Sequence, residues 1–404
     1  MKLSSFPTYK LTYFFIVISF SLLIVETCKS QTDGLFAFPV LNYDYLTSEI
    51  GMSGAFSSLP NPSISSAWYN PAQLGYKTDY SLALAISPYN DLFSTSSNIS
   101  NVGLRFQQES RLFGNTIQWG ISLHQFSLNS GELDITTIEH PEGGIGTINF
   151  IDKVQSLSIG LGTTIVKGLR LNAGYSLKKA SYSTTIRDNT EMEDTFISCL
   201  MSDFGFITDV NIPELSNWQP MLFSKSINWT IRLSYTVRNI GKDVDVELDR
   251  FGKLPLPKTS ILGFSTSFSI PHVFNDIQYD FLKLHISRDA RNIDMSNYSR
   301  DVNISLFDQL FLGKTGFWNQ INQGIRLDFI ESIELSLGQI KRKFTDDSML
   351  SYGLTLDLKG WKKFKLDQTF PLLKPITVRI NQTLLTHKTL ENTYFFGIEI
   401  GYRF

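Results

Sequence analysis

Hydrophobic and polar positions alternate along most of this chain. Trp229, Ile231, Leu233, Tyr235 and Val237 share one parity, and Thr230, Arg232, Ser234, Thr236 and Arg238 fill the other. A two-residue period places successive side chains on opposite faces of a sheet, so each such segment has one apolar and one wet face. The pattern recurs at Ile117 to Leu123, Leu157 to Ile165, Leu169 to Leu177, Leu262 to Phe268, Leu282 to Ile286, Ile325 to Phe329, Ile333 to Leu337, Tyr352 to Leu358 and Ile376 to Ile380. Helical periodicity is almost absent. Repeated alternating segments of about ten residues are the signature of a transmembrane β-barrel. A mean hydropathy of −0.05 agrees, because half of each strand meets water.

The fold class expected is all-β: a transmembrane antiparallel barrel of about 14 strands, with an N-terminal hatch or plug segment. The strands are predicted near 79–87, 100–107, 115–126, 154–166, 168–178, 196–208, 228–239, 258–270, 276–287, 323–330, 332–340, 350–359, 375–383 and 393–404. An even count returns the C-terminus to the side where the first strand starts. Tight connections at Lys167-Gly168, Pro271 to Asn275 and Glu331-Ser332 then fall at the periplasmic end. The long connections 127–153, 179–195, 240–257 and 288–322 fall outside, the arrangement expected of such barrels. The connection 209–227 is long yet falls inside, and Leu133 to Ile138, strand-like in pattern, is assigned to a loop.

Both ends of the chain fit an exported barrel. In the last strand Phe396, Ile398, Ile400, Tyr402 and Phe404 alternate with Gly397, Glu399, Gly401 and Arg403. A terminal strand closed by an aromatic residue resembles the signal read by the outer-membrane assembly machinery. Lys2 and Lys10 precede an apolar run from Leu11 to Val25, which is short for a spanning helix, and a secretory signal peptide is expected to end near Ser30. A lipoprotein signal acylated at Cys28 is the rival, but Val25-Glu26-Thr27 matches such a site poorly. The expected organisation is therefore a signal peptide (1–30), a hatch segment (31–78) and an outer-membrane barrel (79–404), located in the bacterial outer membrane as a multi-pass protein.

Removal of residues 1–30 changes the formal charge from −2 to −4 and leaves Cys199 as the only thiol, so no internal disulfide is possible. Strand parity sends Arg105, Arg170, Lys178, Arg232, Arg238, Lys283, Arg326 and Arg403 to the wet face, with Asp328, Asp357 and Glu399. Residues 31–76 contain Asp33, Asp44 and Glu49 and no Lys or Arg. An acidic segment is therefore expected to sit in a basic lumen as a plug, with Gly51 and Gly54 allowing close backbone approach. Two other readings stay open: lumen charges that only solvate a water-filled interior, and arginines that bind a fatty-acid carboxylate.

Residues 31–78 also carry a family resemblance. The stretches Ile50-Gly51-Met52-Ser53-Gly54-Ala55-Phe56 and Ser66-Ala67-Trp68-Tyr69-Asn70-Pro71-Ala72-Gln73-Leu74 resemble the opening of the PorV/PorQ family, a branch of the FadL-like barrels. Ser202-Asp203-Phe204-Gly205-Phe206 matches further on. So does Val237-Arg238-Asn239-Ile240-Gly241, followed by Leu254-Pro255-Leu256-Pro257. Departures are Ser53 in place of a glycine and Leu59-Pro60-Asn61-Pro62 where acidic and small residues are usual. The resemblance implies a fourteen-stranded barrel with an internal hatch, whose motif residues here are Gly51, Gly54, Trp68, Asn70, Pro71 and Ala72. It implies a non-enzymatic component of type IX protein secretion, with a translocon and exported proteins as partners besides outer-membrane lipid and the assembly machinery. FadL-like relatives imply the alternative, a channel passing small hydrophobic molecules through a lateral opening.

Catalytic signals are weak. Asp203-Phe204-Gly205 lacks the accompanying kinase motifs, and Gly313-Lys314-Thr315 lacks the upstream glycine of a phosphate loop. The histidines His124, His140, His272, His285 and His387 show no metal-binding spacing. Barrel hydrolases with acids, His and Ser near the rim are the counter-case, in which His124 is one candidate member. The chain is expected to be no enzyme, to carry no cofactor or metal and to bind no nucleic acid.

Overall fold

A computed structural model describes Phe38, Leu41, 50–61, 63–78, 82–91, 98–112, 115–129, 131, 133–134, 146–188, 192–216, 218, 220–222, 225–245, 253–254, 256–274, 277–293, 305–314, 319–342, 349–358, 375–386 and 393–402. Among these residues fourteen strands form one closed antiparallel barrel. They are β1 (Leu82–Asp91), β2 (Asn98–Leu112), β3 (Asn115–Asn129), β4 (Gly146–Val166), β5 (Leu169–Asp188), β6 (Met192–Asn211) and β7 (Asn228–Gly241). The chain continues through β8 (Thr259–Phe274), β9 (Ile277–Ile293), β10 (Asn319–Phe329), β11 (Ile333–Arg342), β12 (Met349–Asp357), β13 (Ile376–Thr386) and β14 (Thr393–Tyr402). Each strand pairs with its sequence neighbours, and β1 pairs with β14 to close the ring. Closure leaves no exposed ladder edge, the condition for crossing lipid with strands. The closing seam is short, running only from Leu82↔Tyr402 to Ile86↔Ile398.

The period of two decides what each face meets. On β4, Leu157, Ile159 and Leu161 point outward at 50%, 46% and 52% exposure, while Ser156, Ser158, Gly160 and Gly162 between them are buried inside. Outward apolar residues recur on neighbouring strands, including Leu123, Tyr175, Leu177, Phe204, Leu233, Leu335 and Ile400. The outer wall is thus an apolar band.

All fourteen strands predicted from alternation are present, but several are longer. β5 runs to Asp188 and β6 starts at Met192, so most of the loop expected at 179–195 is sheet; β4 starts at Gly146, within the loop expected at 127–153. These strands have 20 or 21 residues, about twice the 9–11 needed to span a bilayer. The outer end of β5 bears Lys179, Ser181 and Ser183 where its spanning part bears Tyr175 and Leu177, so the apolar alternation ends while the ladder continues. Leu133–Asp134, assigned to a loop, pairs with Thr147 and Ile148. The long inner connection 209–227 is built from a short helix, α2 (Ile212–Ser216), and a two-residue ladder of Met221–Leu222 with Lys225–Ser226. Among the described residues are also the helices α1 (Ser66–Tyr69), in the lumen, and α3 (Leu306–Leu312), between β9 and β10.

Placing arginine at Ile159 is expected to cost ~2–4 kcal/mol, whereas arginine at Gln155, at the upper edge of the band, should cost ~0–1 kcal/mol. Denaturant unfolding of the two variants in lipid vesicles checks this difference.

Candidate functional site

Residues 50–78 enter the barrel from below β1 and fill its middle; among 50–76, all described residues but Pro60 are buried. The segment is held first by its own turns. Ser53 and Gly54 adopt left-handed conformations, with φ of 54° and 73°, closing a turn in which Ser53 N–H donates to Ile50 O and Ala55 N–H to Met52 O. Serine occupies here, at some conformational cost, a backbone region that glycine enters freely. Asn70 ends α1 and caps a following 3-10 turn, Pro71–Gly75: its Oδ1 accepts from Ala72 N–H at 3.0 Å and its Nδ2 donates to Ser57 O at 2.9 Å. Gln73 adds a second staple, donating to Leu59 O at 2.7 Å.

The wall receives these turns on positions that lack side chains. A Cβ at Gly160 or Gly174 would strike Pro71, and one at Gly205 would strike Asn70. Across the lumen a Cβ at Gly324 or Gly338 would strike Met52, and one at Gly353 would approach Gly51. The predicted motif residues Gly51, Gly54, Trp68, Asn70, Pro71 and Ala72 therefore lie together between two glycine seats. The acidic residues Asp33, Asp44 and Glu49 lie outside the described residues.

All seven candidate basic residues lie on inward-facing strand positions, and Arg403 is outside the described residues. Arg105, fully buried, donates to Ser63 O at 3.2 Å and to Gln73 O at 3.3 Å. Arg170 donates to Gly75 O and, at 2.6 Å, to Gln118 Oε1. Residues 50–76 carry no charge, so both arginines grip neutral carbonyls rather than carboxylates. Lys283 pairs with Asp280 at 2.7 Å. The lumen also holds buried acids absent from the sequence tally, namely Asp152, Asp203, Asp209 and Asp289, with Glu334 half-buried. The expected basic excess is therefore smaller. Parity alone would have found Asp203 and Arg379, which flank outward Phe204 and Ile380; Asp209 falls just beyond the predicted strand end.

Two networks join these groups. In the upper lumen Lys178 meets Asp203 at 2.5 Å, both within 1% of full burial, and lies 4.1 Å from the centre of the Trp68 ring. Arg238 sits 5.7 Å from the same ring, and Phe126 stacks on it at 5.3 Å. Asn239, at a β7 bulge with φ of 59°, ties the cluster outward. Its N–H donates to Asp203 Oδ1 at 2.8 Å and its Nδ2 to Pro257 O at 2.9 Å. Three stretches singled out in the sequence, around Asp203, Asn239 and Pro257, thus converge on the ring of a fourth, Trp68.

The lower network is a belt that begins and ends on the luminal segment. Tyr76 OH donates to Asp209 Oδ1 at 2.6 Å, and burial followed by the Asp209 charge holds the Tyr76 phenol well above its ordinary pKa. Arg232 lies 3.3 Å from Asp209 and donates to Ser267 Oγ at 2.6 Å. Ser267 Oγ is 2.7 Å from His285 Nδ1, and His285 Nε2 is 3.0 Å from Asp328 Oδ2. Arg326 reaches Asp328 at 2.9 Å and Glu334 at 3.8 Å. Arg379 closes the belt, donating to Glu334 at 2.6 Å and to Asn61 Oδ1 of the segment at 3.1 Å. It crosses β6, β7, β8, β9, β10, β11 and β13.

A closed antiparallel barrel with an apolar outer band and a polar, hydrogen-bonded interior has one environment that suits it. The chain is an outer-membrane β-barrel. Its short turns, such as Lys167-Gly168 and Ile330-Glu331, mark the periplasmic end. On the terminal strand Phe396, Ile400 and Tyr402 are exposed to lipid, Ile398 is half-buried and Phe404 lies outside the described residues. No protein-family model and no curated protein matches the chain. Similar solved structures include the Ralstonia pickettii toluene transporter TbuX, with a TM-score of 0.47, 11% identity, and coverage of 89% of this chain and 98% of that one. A Pseudomonas aeruginosa FadL homologue gives 0.42, 10%, 94% and 99%. The translocator domain of autotransporter NalP from Neisseria meningitidis gives 0.39, 9%, 80% and 87%.

Asp203→Ala leaves the Lys178 ammonium buried without its counter-charge and is expected to cost ~3–5 kcal/mol, measured by denaturant unfolding in detergent. Gly174→Leu drives a side chain into Pro71 and is expected to unseat the segment, read as higher single-channel conductance and new protease cleavage within residues 50–78.

Proposed function

We propose that this barrel passes small hydrophobic molecules across the outer membrane by a route through its wall. The lumen is blocked along its axis by residues 50–76, so a solute that travels without a water-filled pore suits it better than an ion or a sugar. The observation that carries the reading is an open, largely apolar groove of about 450 Å³ on the upper wall. Its lining includes the lipid-facing Val102, Leu104, Leu123 and Leu157, and also His124 and Lys178, whose side chains are buried. Gly103 also lines it, and a Cβ there would strike the His124 ring. Behind it lies an apolar cluster including Trp68, Phe126, Leu128, Val154 and Met201. Apolar lining with a few convergent polar groups is the usual character of a small-molecule site.

A second reading, a protein-secretion component of the PorV/PorQ kind, is favoured by one observation. The stretches that carry that resemblance meet at Asn239, which connects the outer hairpin at Pro257 to Trp68. A partner protein seated on that hairpin would have a direct mechanical line to the lumen. In this reading a translocon and exported proteins are the partners; in both, outer-membrane lipid and the barrel assembly machinery are.

Leu123→Trp fills the wall groove and is expected to lower vesicle uptake of a small aromatic hydrocarbon by at least about tenfold while the barrel stays folded. Uptake equal to that of the unaltered protein overturns the channel reading. Mild-detergent purification from the native membrane separates the two: bound apolar solute supports the channel, and a co-purifying translocon subunit supports secretion.

A further inference from the structure

The middle of the lower belt has a geometry that latching alone does not require. Ser267, His285 and Asp328 lie on the adjacent strands β8, β9 and β10, and register brings them into line: Ser267 pairs with His285, and His285 with Arg326, two residues from Asp328. Arg326 accompanies Asp328 at 2.9 Å and favours the ionised carboxylate. An ionised Asp328 accepts from His285 Nε2–H across 3.0 Å, which leaves the Nδ1 lone pair facing Ser267 Oγ at 2.7 Å. The serine hydroxyl therefore donates to the imidazole, while Arg232 Nη1 donates to the same serine oxygen at 2.6 Å. Nucleophile, base and orienting acid are each within hydrogen-bond reach, and the Arg232 cation stands beside the serine oxygen.

These four side chains line one cavity of about 380 Å³ beneath the luminal segment, within the size range of small-ligand sites. Lys77 and Glu331, at the periplasmic end, form part of its lining, and Thr230, Ser269 and Thr377 make its walls polar. Polar and apolar surface are about equal in this lining, and a short acyl group fits it better than a long one.

We propose that Ser267 is the nucleophile of a second, hydrolytic activity toward short, water-soluble carboxylic esters that enter from the periplasm. Ser267 Oγ attacks the ester carbonyl carbon and its proton passes to His285 Nδ1. Arg232 faces the carbonyl oxygen as it gains charge. The carbon–oxygen bond to the alcohol breaks, and the leaving alkoxide takes the proton from Nδ1. Water then gives a proton to His285 Nδ1 and attacks the acyl carbon; the bond to Ser267 Oγ breaks, the acid leaves, and the Nδ1 proton returns to the serine oxygen. Asp328 is a positioning residue that fixes the imidazole tautomer. This activity is independent of the transport reading, because its cavity lies at the opposite end of the luminal segment from the wall groove.

The test treats the full chain, folded in detergent and checked by heat-modifiable gel migration, with a small fluorophosphonate, and maps the adduct by mass spectrometry. The expected result is a single adduct on Ser267, lost in Ser267→Ala and retained in Ser269→Ala. His285→Gln should slow both labelling and p-nitrophenyl acetate hydrolysis by about 10²–10⁴-fold, the range for loss of a general base. Asp328→Asn should move the midpoint of the pH–rate profile, a change that a purely structural role would not produce. A folded, unaltered barrel that takes no label, or takes it on another residue, overturns the proposal; because this readout uses no substitution, misfolding of a variant cannot obscure it.

Discussion

The structure depends on close contact between a folded-back segment and bare backbone. Pro71 and Met52 press on opposite parts of the inner wall at glycines 160 and 174 and glycines 324 and 338, where any Cβ would overlap them. Interiors are packed densely enough that a single added methyl is felt. With the segment's turns fixed against the wall, the side chains around it have fixed partners. Arg105 and Arg170 find its carbonyls, and Tyr76 and Asn61 find Asp209 and Arg379. The polar networks are thus consequences of a steric fit, and they supply the direction that packing alone lacks.

The two networks divide the lumen by chemistry. The upper one surrounds an aromatic ring with two cations, a buried carboxylate and apolar neighbours, and it reaches the outer hairpin through Asn239. The lower one is a string of alternating acids and bases that returns to the segment it started from. Few of these groups carry a charge without a near partner of opposite sign, which keeps the cost of burial tolerable. The upper lumen accordingly sets its charges among aromatic and apolar groups, and the lower lumen sets them among polar ones.

Much of the barrel could be read from the chain because lipid enforces a strict rule on one face of every strand. Trp229 to Val237 and Phe396 to Tyr402 declare both their strands and their registers. The rule lapses beyond the bilayer, which is why the outer end of β5, with Lys179, Ser181 and Ser183, reads as a loop. The inward basic residues are legible by parity, and so are Asp203 and Arg379, though Asp203 stands out in the sequence only through its motifs and Arg379 not at all. The alignment of Ser267, His285 and Asp328 was not, since it depends on the stagger of three strands, and His285 alone carries no signal. Where Trp68 and Asn70 sit came only as a family resemblance; what they touch required the glycines of β4, β5 and β6 to be seen together.

The seam between β1 and β14 implies an order of assembly. The luminal segment is made before any strand, yet it touches strands from both halves of the barrel and carries both ends of the belt. A finished cylinder would have to admit it through an end, past the side chains that later hold it. Wrapping the sheet around the segment avoids that barrier, with the last strand meeting the first across five residue pairs. The short seam is then the final step of folding, and a segment made before the first strand becomes the core around which the rest is wound.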